Sequence, residues 1–425
     1  MTKKEPMIIY NIFPRLLGSV DVWEKHIPRI ARMKFNWIFI NPFHYPGFSG
    51  SLYAPKDYYA FNPIFVPEGK DGFKMLASFA RACEKKGIRV MMDLVINHSA
   101  SDSVLVEQHP EWYRREPDGS LMHPFCVDPA DTRKKTVWGD LAEIDNSPKA
   151  PHRKSLWKYW LNLIKKYADL GFKGFRADAA YKVPSELWEF LISRTKKDYP
   201  DSVFFAETLG AEEDDLKTVV KTGFDYVTNS SKWWDFKEEW CPRQYNSFRR
   251  HAPSVSFPES HDTPRLFDEL SGNINAQKMW YAFSAFFSGG VLMPLGYEWG
   301  FRKRVNVVHT MPSDMEEKNI DISDYIKEVN TIKKKFNIFH YDSDMKILTN
   351  INDVFFVMLK SSDGSSSGKL LFVLNKDTHN TRNLPFERLM EMTKGWRFKN
   401  MIFQKKTGKV SYDPRYGPGE TRLFV

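Results

Sequence analysis

Cysteine is scarce in this chain: Cys83, Cys126 and Cys241 are the only three in 425 residues. An odd, scattered set gives no disulfide framework and no CxxC pair for a zinc site. It predicts reduced thiols and a cytoplasmic location. Cys83 falls on the apolar face of a predicted helix, where core packing accounts for it. Long apolar runs are also missing, so no membrane span is expected. The opening "MTKKEPMIIYNIFP" lacks an apolar leader core and a small-residue cleavage signal, and reads as the start of a folded domain. A dense basic arm is absent too. The net charge of +9 comes from lysines interleaved with acids, so a solvated surface explains it and no nucleic-acid partner is expected.

Apolar and aromatic residues, by contrast, are plentiful. Hydrophobic residues make up 42% of the chain and aromatic residues 15%. Such a chain can bury a large core, and its length predicts one large domain plus a smaller one. It also has rings to spare for lining a cleft.

Short apolar runs alternate with longer amphipathic stretches. The runs are "MIIYNIF" at 7–13, "FNWIFINPF" at 35–43, "IRVMMDLVINH" at 88–98, "FKGFRAD" at 172–178 and "SVFFAETLG" at 202–210. Weaker ones follow at 225–231, 253–262 and 289–300. Each reads as a parallel strand buried on both faces and polar at its end. Helical patterns lie between them. In "DGFKMLASFARACEKKG", Asp71 is the N-cap, Phe73, Leu76, Phe79, Ala80 and Cys83 share a face, and Gly87 is the stop. "SLWKYWLNLIKKYADLG" repeats the scheme with Leu156, Trp160, Ile164 and Tyr167, ending at Gly171.

Eight such alternations predict an α/β fold, a (β/α)8 TIM barrel over residues 1–336. The interval after the third strand is too long for one helix, so residues 99–153 are read as an inserted lobe on the barrel's C-terminal face. Residues 337–425 change texture. Strand-like runs flank the Gly/Ser turn "SSDGSSSG", which predicts an all-β C-terminal domain, a β-sandwich.

Catalytic groups of a TIM barrel come from the C-terminal ends of different strands. Here the third strand ends in Asp93, Asn97 and His98, the fourth in Arg176 and Asp178, the fifth in Glu207, and the seventh in Glu259, His261 and Asp262. Taken singly, Arg176 with Asp178 would be an ordinary rim ion pair, His98 a core histidine and Asp262 a helix cap. Their joint occurrence at four strand ends points to a site.

Three converging carboxylates suit glycoside hydrolysis, which needs one ionised nucleophile and one acid protonated at neutral pH. A guanidinium orients a neighbouring carboxylate and favours its ionised form, so Arg176 makes Asp178 the nucleophile. Glu207 follows the apolar "FFA", and those surroundings favour the protonated acid. Asp262 is the third group, stabilising the oxocarbenium-like transition state. His98 and His261 are donors to sugar hydroxyls, and Arg265 supports the site or pairs at the surface. Tyr53, Trp138, Trp233, Trp234, Tyr297 and Trp299 are candidate sugar platforms, with core packing as the alternative for all but Tyr53.

"DLVINH", "GFRADAAYK", "FAETLG" and "ESHD" resemble, in that order, the four short sequence regions of the alpha-amylase superfamily. "SLYAPKDYYAFNP" is similar to its second-strand loop, and "LAEIDN" to its additional region before the third helix. The resemblance spans nearly the whole chain. It implies a retaining double displacement with Asp178 as nucleophile, Glu207 as acid/base and Asp262 as stabiliser. It further implies that Tyr53 stacks on the sugar, that Asp57 supports the site, and that Lys182 contacts sugar on the leaving-group side. No cofactor is required for the chemistry. Members that hold a structural calcium use an asparagine matching Asn97 and an aspartate of the lobe, for which Asp140 and Asp145 are the candidates.

"HPEWYRREPDGSL", "ELWEFLISRTKKDYPDSVFFAETL" and "LGYEW" resemble the maltosyltransferase branch that uses maltose 1-phosphate. His98, His261 and Ala179 depart from that branch, which would place an asparagine after the nucleophile. The main expectation is therefore a hydrolase of the alpha-amylase type acting on α-glucans or maltooligosaccharides. An α-glucan glycosyltransferase is the alternative, and a non-catalytic glycan-binding subunit the third reading.

Overall fold

The computed structural model describes residues 5–128, 131–362, 368–396, 398, 401–403 and 412–425. Eight parallel strands close into a barrel. They are β1 (Met7–Ile12), β2 (Trp37–Ile40), β3 (Arg89–Leu94), β4 (Gly174–Ala177), β5 (Val203–Ala206), β6 (Tyr226–Thr228), β7 (Ser254–Ser256) and β8 (Gly290–Pro294). Neighbours in the barrel are neighbours in sequence, and β8 returns to pair with β1. Every strand falls inside a run expected from the sequence, so the TIM barrel is present as read. The strands are shorter than the runs: β6 and β7 keep three residues each, and the polar remainder of each run forms the loops at the barrel mouth.

Alternation along the strands builds two cores. Ile9, Trp37, Phe39, Met91, Phe205 and Val255 point inward and fill the barrel. Ile8, Tyr10, Ile38, Val90 and Phe204 belong to the larger cluster shared with the surrounding helices. Those helices include α1 (Val20–Arg32), α2 (Gly72–Glu84), α3 (Arg153–Asp169), α4 (Ser185–Asp198), α5 (Ile274–Phe287) and α6 (Ser323–Lys335). The Asp71 side chain accepts a hydrogen bond from the Lys74 backbone N–H at 3.1 Å, so it caps α2 as its sequence implied. Gly87 and Gly171, both at positive φ, end the turns that follow α2 and α3.

Between β3 and α3 the chain leaves the barrel. His98–Ala100 pairs antiparallel with Leu141–Glu143, and a hairpin joins Phe125–Asp128 to Asp131–Val137. The "LAEIDN" segment therefore lies directly beside His98.

After α6 come β9 (Asp344–Ile347), β10 (Phe355–Ser361), β11 (Lys369–Asn375), β12 (Met401–Phe403) and β13 (Thr421–Phe424). They form an antiparallel sheet in the order β9-β10-β11-β13-β12, and a two-stranded ribbon pairs Arg382–Asn383 with Arg415–Tyr416. Ser361 pairs with Lys369 across the expected hairpin, of whose turn residues 363–367 lie outside the described set.

Gly174 opens β4 because nothing larger fits there. A Cβ at that position would sit 2.8 Å from Met91 Cβ and from Trp37 Cζ3. Gly174→Ala is expected to lower stability by about 1–3 kcal/mol through overpacking, read from the urea midpoint at unchanged m-value.

Candidate active site

Arg176 stands third in β4, level with Asp93 of β3 and Phe205 of β5. Its guanidinium is buried at the top of the barrel interior. Nη1 donates to both Asp93 carboxylate oxygens at 2.9 Å and to Asp178 Oδ1 at 2.6 Å. Nη2 lies 3.9 Å from Glu207 Oε2. One planar cation thus gathers carboxyls from β3, from the end of β4 and from the end of β5.

Glu207 is held by more than the guanidinium. Its Oε2 accepts the Ala179 N–H at 2.9 Å and its Oε1 the Leu209 N–H at 2.5 Å. Ala179 can aim that N–H only because it is left-handed (φ 41°), an uncommon state for a residue with a Cβ. Burial pushes the Glu207 carboxyl up to about 7 and the neighbouring Asp178 charge adds to this, while Arg176 and the two N–H donors oppose it. Burial likewise raises Asp93 above the ordinary carboxylate range, against the pull of Arg176 and Tyr53.

Tyr53 closes the other side. Its hydroxyl donates to Asp93 Oδ2 at 2.7 Å and accepts from Asn41 Nδ2 at 2.9 Å. With its single proton engaged, the hydroxyl accepts from His261 Nε2, 2.8 Å away. The same Nε2 lies 3.2 Å from Asp262 Oδ2, which assigns the proton of neutral His261 to Nε2. His98 Nε2 lies 3.1 Å from the Tyr53 carbonyl oxygen. Burial lowers both histidines below their ordinary value, so both are neutral rings near pH 7. The Asp262 side chain is 63% exposed, at the open end of a pocket that Arg176, Glu207, His261, Phe205 and Phe257 also line.

The structure therefore brings together Tyr53, His98, Arg176, Asp178, Glu207, His261 and Asp262. Lys182 is exposed on the rim, with its ammonium 5.2 Å from the Tyr181 ring. Arg265 is buried, which removes the surface-pair alternative. It donates to Glu259 Oε1 at 2.8 Å and to the Leu295 carbonyl at 3.0 Å, and so braces the loop that carries Asp262 from below. Asp57 lies in the hairpin before α2, where its Oδ1 accepts the Tyr59 N–H at 2.8 Å, and it makes no contact with the carboxylate cluster. Among the candidate platforms, Trp234, Tyr297 and Trp299 are buried core residues.

The calcium candidates do not fit the ion. Asp145 accepts the Ser147 N–H and lies 3.8 Å from Arg114 Nε, and the same guanidinium pairs with Glu143 at 3.1 Å. The Asn97 amide is directed at His98, 3.5 Å away, and Asp140 lies on the loop before the Leu141–Glu143 strand. Among the described residues, no three His, Cys, Asp or Glu side chains converge as a metal site. Calcium wants six to eight oxygens, and here the Arg114 guanidinium already pairs with Glu143 beside Asp145.

Sequence reasoning named Asp93 as a strand end but gave it no role, although it is the principal partner of Arg176. The signal was available: an acid inside the apolar run "MMDLV", one strand away from an arginine inside another. Asn11 and Asn41, which donate along the chain leading to Tyr53, were missed because an asparagine ending a strand is unremarkable in a sequence.

Residues 3–116 match the family model described as "Glycogen debranching enzyme, glucanotransferase domain". Among curated proteins, the chain is 23% identical over 372 residues to the alpha-1,4-glucan:maltose-1-phosphate maltosyltransferase of Burkholderia pseudomallei. That match covers 83% of this chain and 31% of the relative. The Picrophilus torridus protein of the same name is 27% identical over 240 residues, covering 53% of this chain and 36% of its own. A cyclomaltodextrinase of Geobacillus thermopakistaniensis is 22% identical over 85% of this chain and 62% of its own. The chain thus spans about a third of the length of the maltosyltransferases it matches. Among solved structures, an alpha-amylase from Lactobacillus plantarum superposes with a TM-score of 0.74 at 18% identity, covering 99% of this chain and 98% of that one. Trehalose-6-phosphate hydrolase of Bacillus licheniformis superposes at 0.76 with 14% identity, covering 99% of both chains.

Arg176→Met leaves buried Asp93 without its cation and is expected to cost about 3–5 kcal/mol of stability in urea unfolding. Adding Asp93→Asn to that variant is expected to recover part of the loss, because the second change removes the unpaired charge.

Proposed function

We propose that the chain, which has the fold of the alpha-amylases it superposes on and ordered motifs that resemble that superfamily's, is an α-glucan-active enzyme that breaks an α-glucosidic bond with retention. The observation that carries this reading is the shared guanidinium. Asp178 and Glu207 both border Arg176, at 2.6 and 3.9 Å, so two carboxyls from neighbouring strands face one mouth as an attacking group and an acid require, and retention is what the resemblance to the superfamily implies.

In the first step an Asp178 carboxylate oxygen bonds to the anomeric carbon. The glycosidic C–O bond breaks, and the Glu207 proton passes to the leaving oxygen. In the second step an acceptor hydroxyl gives its proton to the Glu207 carboxylate and bonds to the same carbon, and the ester to Asp178 breaks. Asp262, with neutral His98 and His261, accepts and donates hydrogen bonds to the hydroxyls of the ring between them.

The acceptor is the point on which the sequence expectation is revised. Several of the relatives carry the name maltosyltransferase, so we favour a sugar hydroxyl as acceptor and place hydrolysis second. Hydrolysis keeps the support of the cyclomaltodextrinase match, which covers more of both chains.

Glu207→Gln is expected to reduce turnover of maltooligosaccharides by about 10²–10⁴-fold while binding persists, which single-turnover kinetics against equilibrium binding will separate. Glu207 must hold its proton to begin the reaction, and its acid form is populated below about 7. The rate constant kcat/KM is therefore expected to fall about tenfold per pH unit above that value and to stay flat just below it. Maltose 1-phosphate offered with maltotetraose should release inorganic phosphate and lengthen the oligosaccharide if the acceptor is a sugar. Glucose and maltose appearing without any longer product would reverse the order of the two readings.

A further inference from the structure

β5 and β6 stop pairing just below the mouth, where Ala206 and Val227 are the last partners in register. Beyond them two threonine side chains take over the ladder. Thr208 donates its N–H to Thr228 Oγ1 at 2.8 Å and its hydroxyl to the Thr228 carbonyl at 2.9 Å. The Thr228 hydroxyl is left to donate to Thr208 Oγ1, 3.0 Å away, which closes the clasp. Both threonines are buried, and Thr228 lines the same pocket as Arg176 and Glu207. A valine would have a similar shape at the end of β6, but only a hydroxyl ties down the residue after Glu207.

That residue is followed by a donor on the carboxyl itself. The Leu209 N–H meets Glu207 Oε1 at 2.5 Å, and Leu209 packs on the side chains that fill the barrel. The other oxygen, Oε2, takes the Ala179 N–H at 2.9 Å. An ionised carboxylate accepts on both oxygens, whereas a protonated one has turned one of them into a donor. Two N–H groups aimed at opposite oxygens therefore favour loss of the proton. Burial and the Asp178 charge favour keeping it. The other charged or titratable groups that face Glu207 are Arg176 of β4, Tyr181 in the turn after it, and His261 and Asp262 after β7. The clasp, by contrast, is made of two neutral side chains, so it acts on the acid through position and not through charge.

We propose that Thr228 is a positioning residue for the acid: through Thr208 it holds the Leu209 N–H on the Glu207 carboxyl and so sets how readily that carboxyl gives up its proton. This rests on the function proposed above and adds the residue that tunes its acid. The first step needs the proton given and the second needs it taken back, so neither form of Glu207 can be too stable.

The test compares the wild type with Thr228→Val, which removes the acceptor, and Thr228→Ser, which returns it. Two quantities are read: the pH dependence of kcat/KM on maltotetraose, and the titration of the Glu207 carboxyl by infrared difference spectroscopy, with Glu207→Gln identifying the band. Thr228→Val is expected to move the alkaline limb and the carboxyl midpoint up together by about one pH unit. Thr228→Ser is expected to bring both back, a rescue that a merely structural role would not produce. Thr208→Ala keeps its N–H and loses only the hydroxyl half of the clasp, so it is expected to shift both in the same direction by less. It carries the test should Thr228→Val fail to fold. A uniform loss of kcat/KM at every pH with an unmoved midpoint, or no change at all, overturns the proposal. A wild-type protein inert to maltotetraose overturns the enzymatic reading, while the infrared midpoints still decide the clasp.

Discussion

A buried guanidinium organises this molecule's mouth. Arg176 sits among the apolar side chains that fill the barrel, where an uncompensated cation would be driven out. Three carboxyls from three successive strands answer it: Asp93, Asp178 and Glu207. They are not equivalent. Asp93 takes two hydrogen bonds and a third from Tyr53, so it neutralises and orients. Asp178 takes one short bond through a single oxygen and keeps the other free to react. Glu207 is reached only at 3.9 Å, and burial raises its carboxyl to about 7, as suits the acid role proposed for it. One cation thus meets three carboxyls in three different ways, at 2.6, 2.9 and 3.9 Å, and the roles proposed for them as nucleophile, orienter and acid follow those contacts.

This is why so much of the site was legible before any coordinates. A parallel strand buried on both faces has no reason to carry Arg, Asp or Glu, so each exception marks a strand end, and closure puts those ends on one rim. Reading "GFRAD" and "FFAET" needed only that rule. What stayed hidden depends on contacts across strands or loops. The dominance of Asp93 follows from its register opposite Arg176, which a single sequence does not display. Asp57 looks like a site residue beside Tyr53, yet the intervening hairpin turns its carboxyl back onto its own backbone. Arg265 resembles a rim cation until Glu259 is seen beneath it, buried and in need of that charge. The acidic groups of the lobe read as calcium ligands until Arg114 appears between Glu143 and Asp145.

The same rule of compensated burial operates at the far end of the barrel. Lys333 of α6 donates from its buried Nζ to the carbonyls of Ala285, Ser288 and Phe339. Lys360 of β10 reaches the Phe287 carbonyl, and Asp342 accepts the Gly289 and Ser254 N–H groups. The free carbonyls at the C-terminus of α5 are thus met by two lysines, one from α6 and one from the C-terminal sheet. Burial depresses both ammonium groups, Lys360 to about 8, and the carbonyl oxygens around them offset part of that cost. The sheet is thereby pinned to the helix that precedes β8, the strand that completes the barrel.

Choice of acceptor follows from what lies just outside the gathered carboxyls. In the proposed reaction the chemistry on Asp178 is the same whether water or a sugar arrives, so selectivity would come from the approach and not from the nucleophile. Water needs only access, and the exposed Asp262 shows that the mouth is open. A sugar hydroxyl at far lower concentration than water competes only if its ring is held in place before the ester breaks, which converts an encounter into an intramolecular step. Holding a ring requires an apolar face fixed beside the acid, and Phe257 lines the same pocket as Glu207.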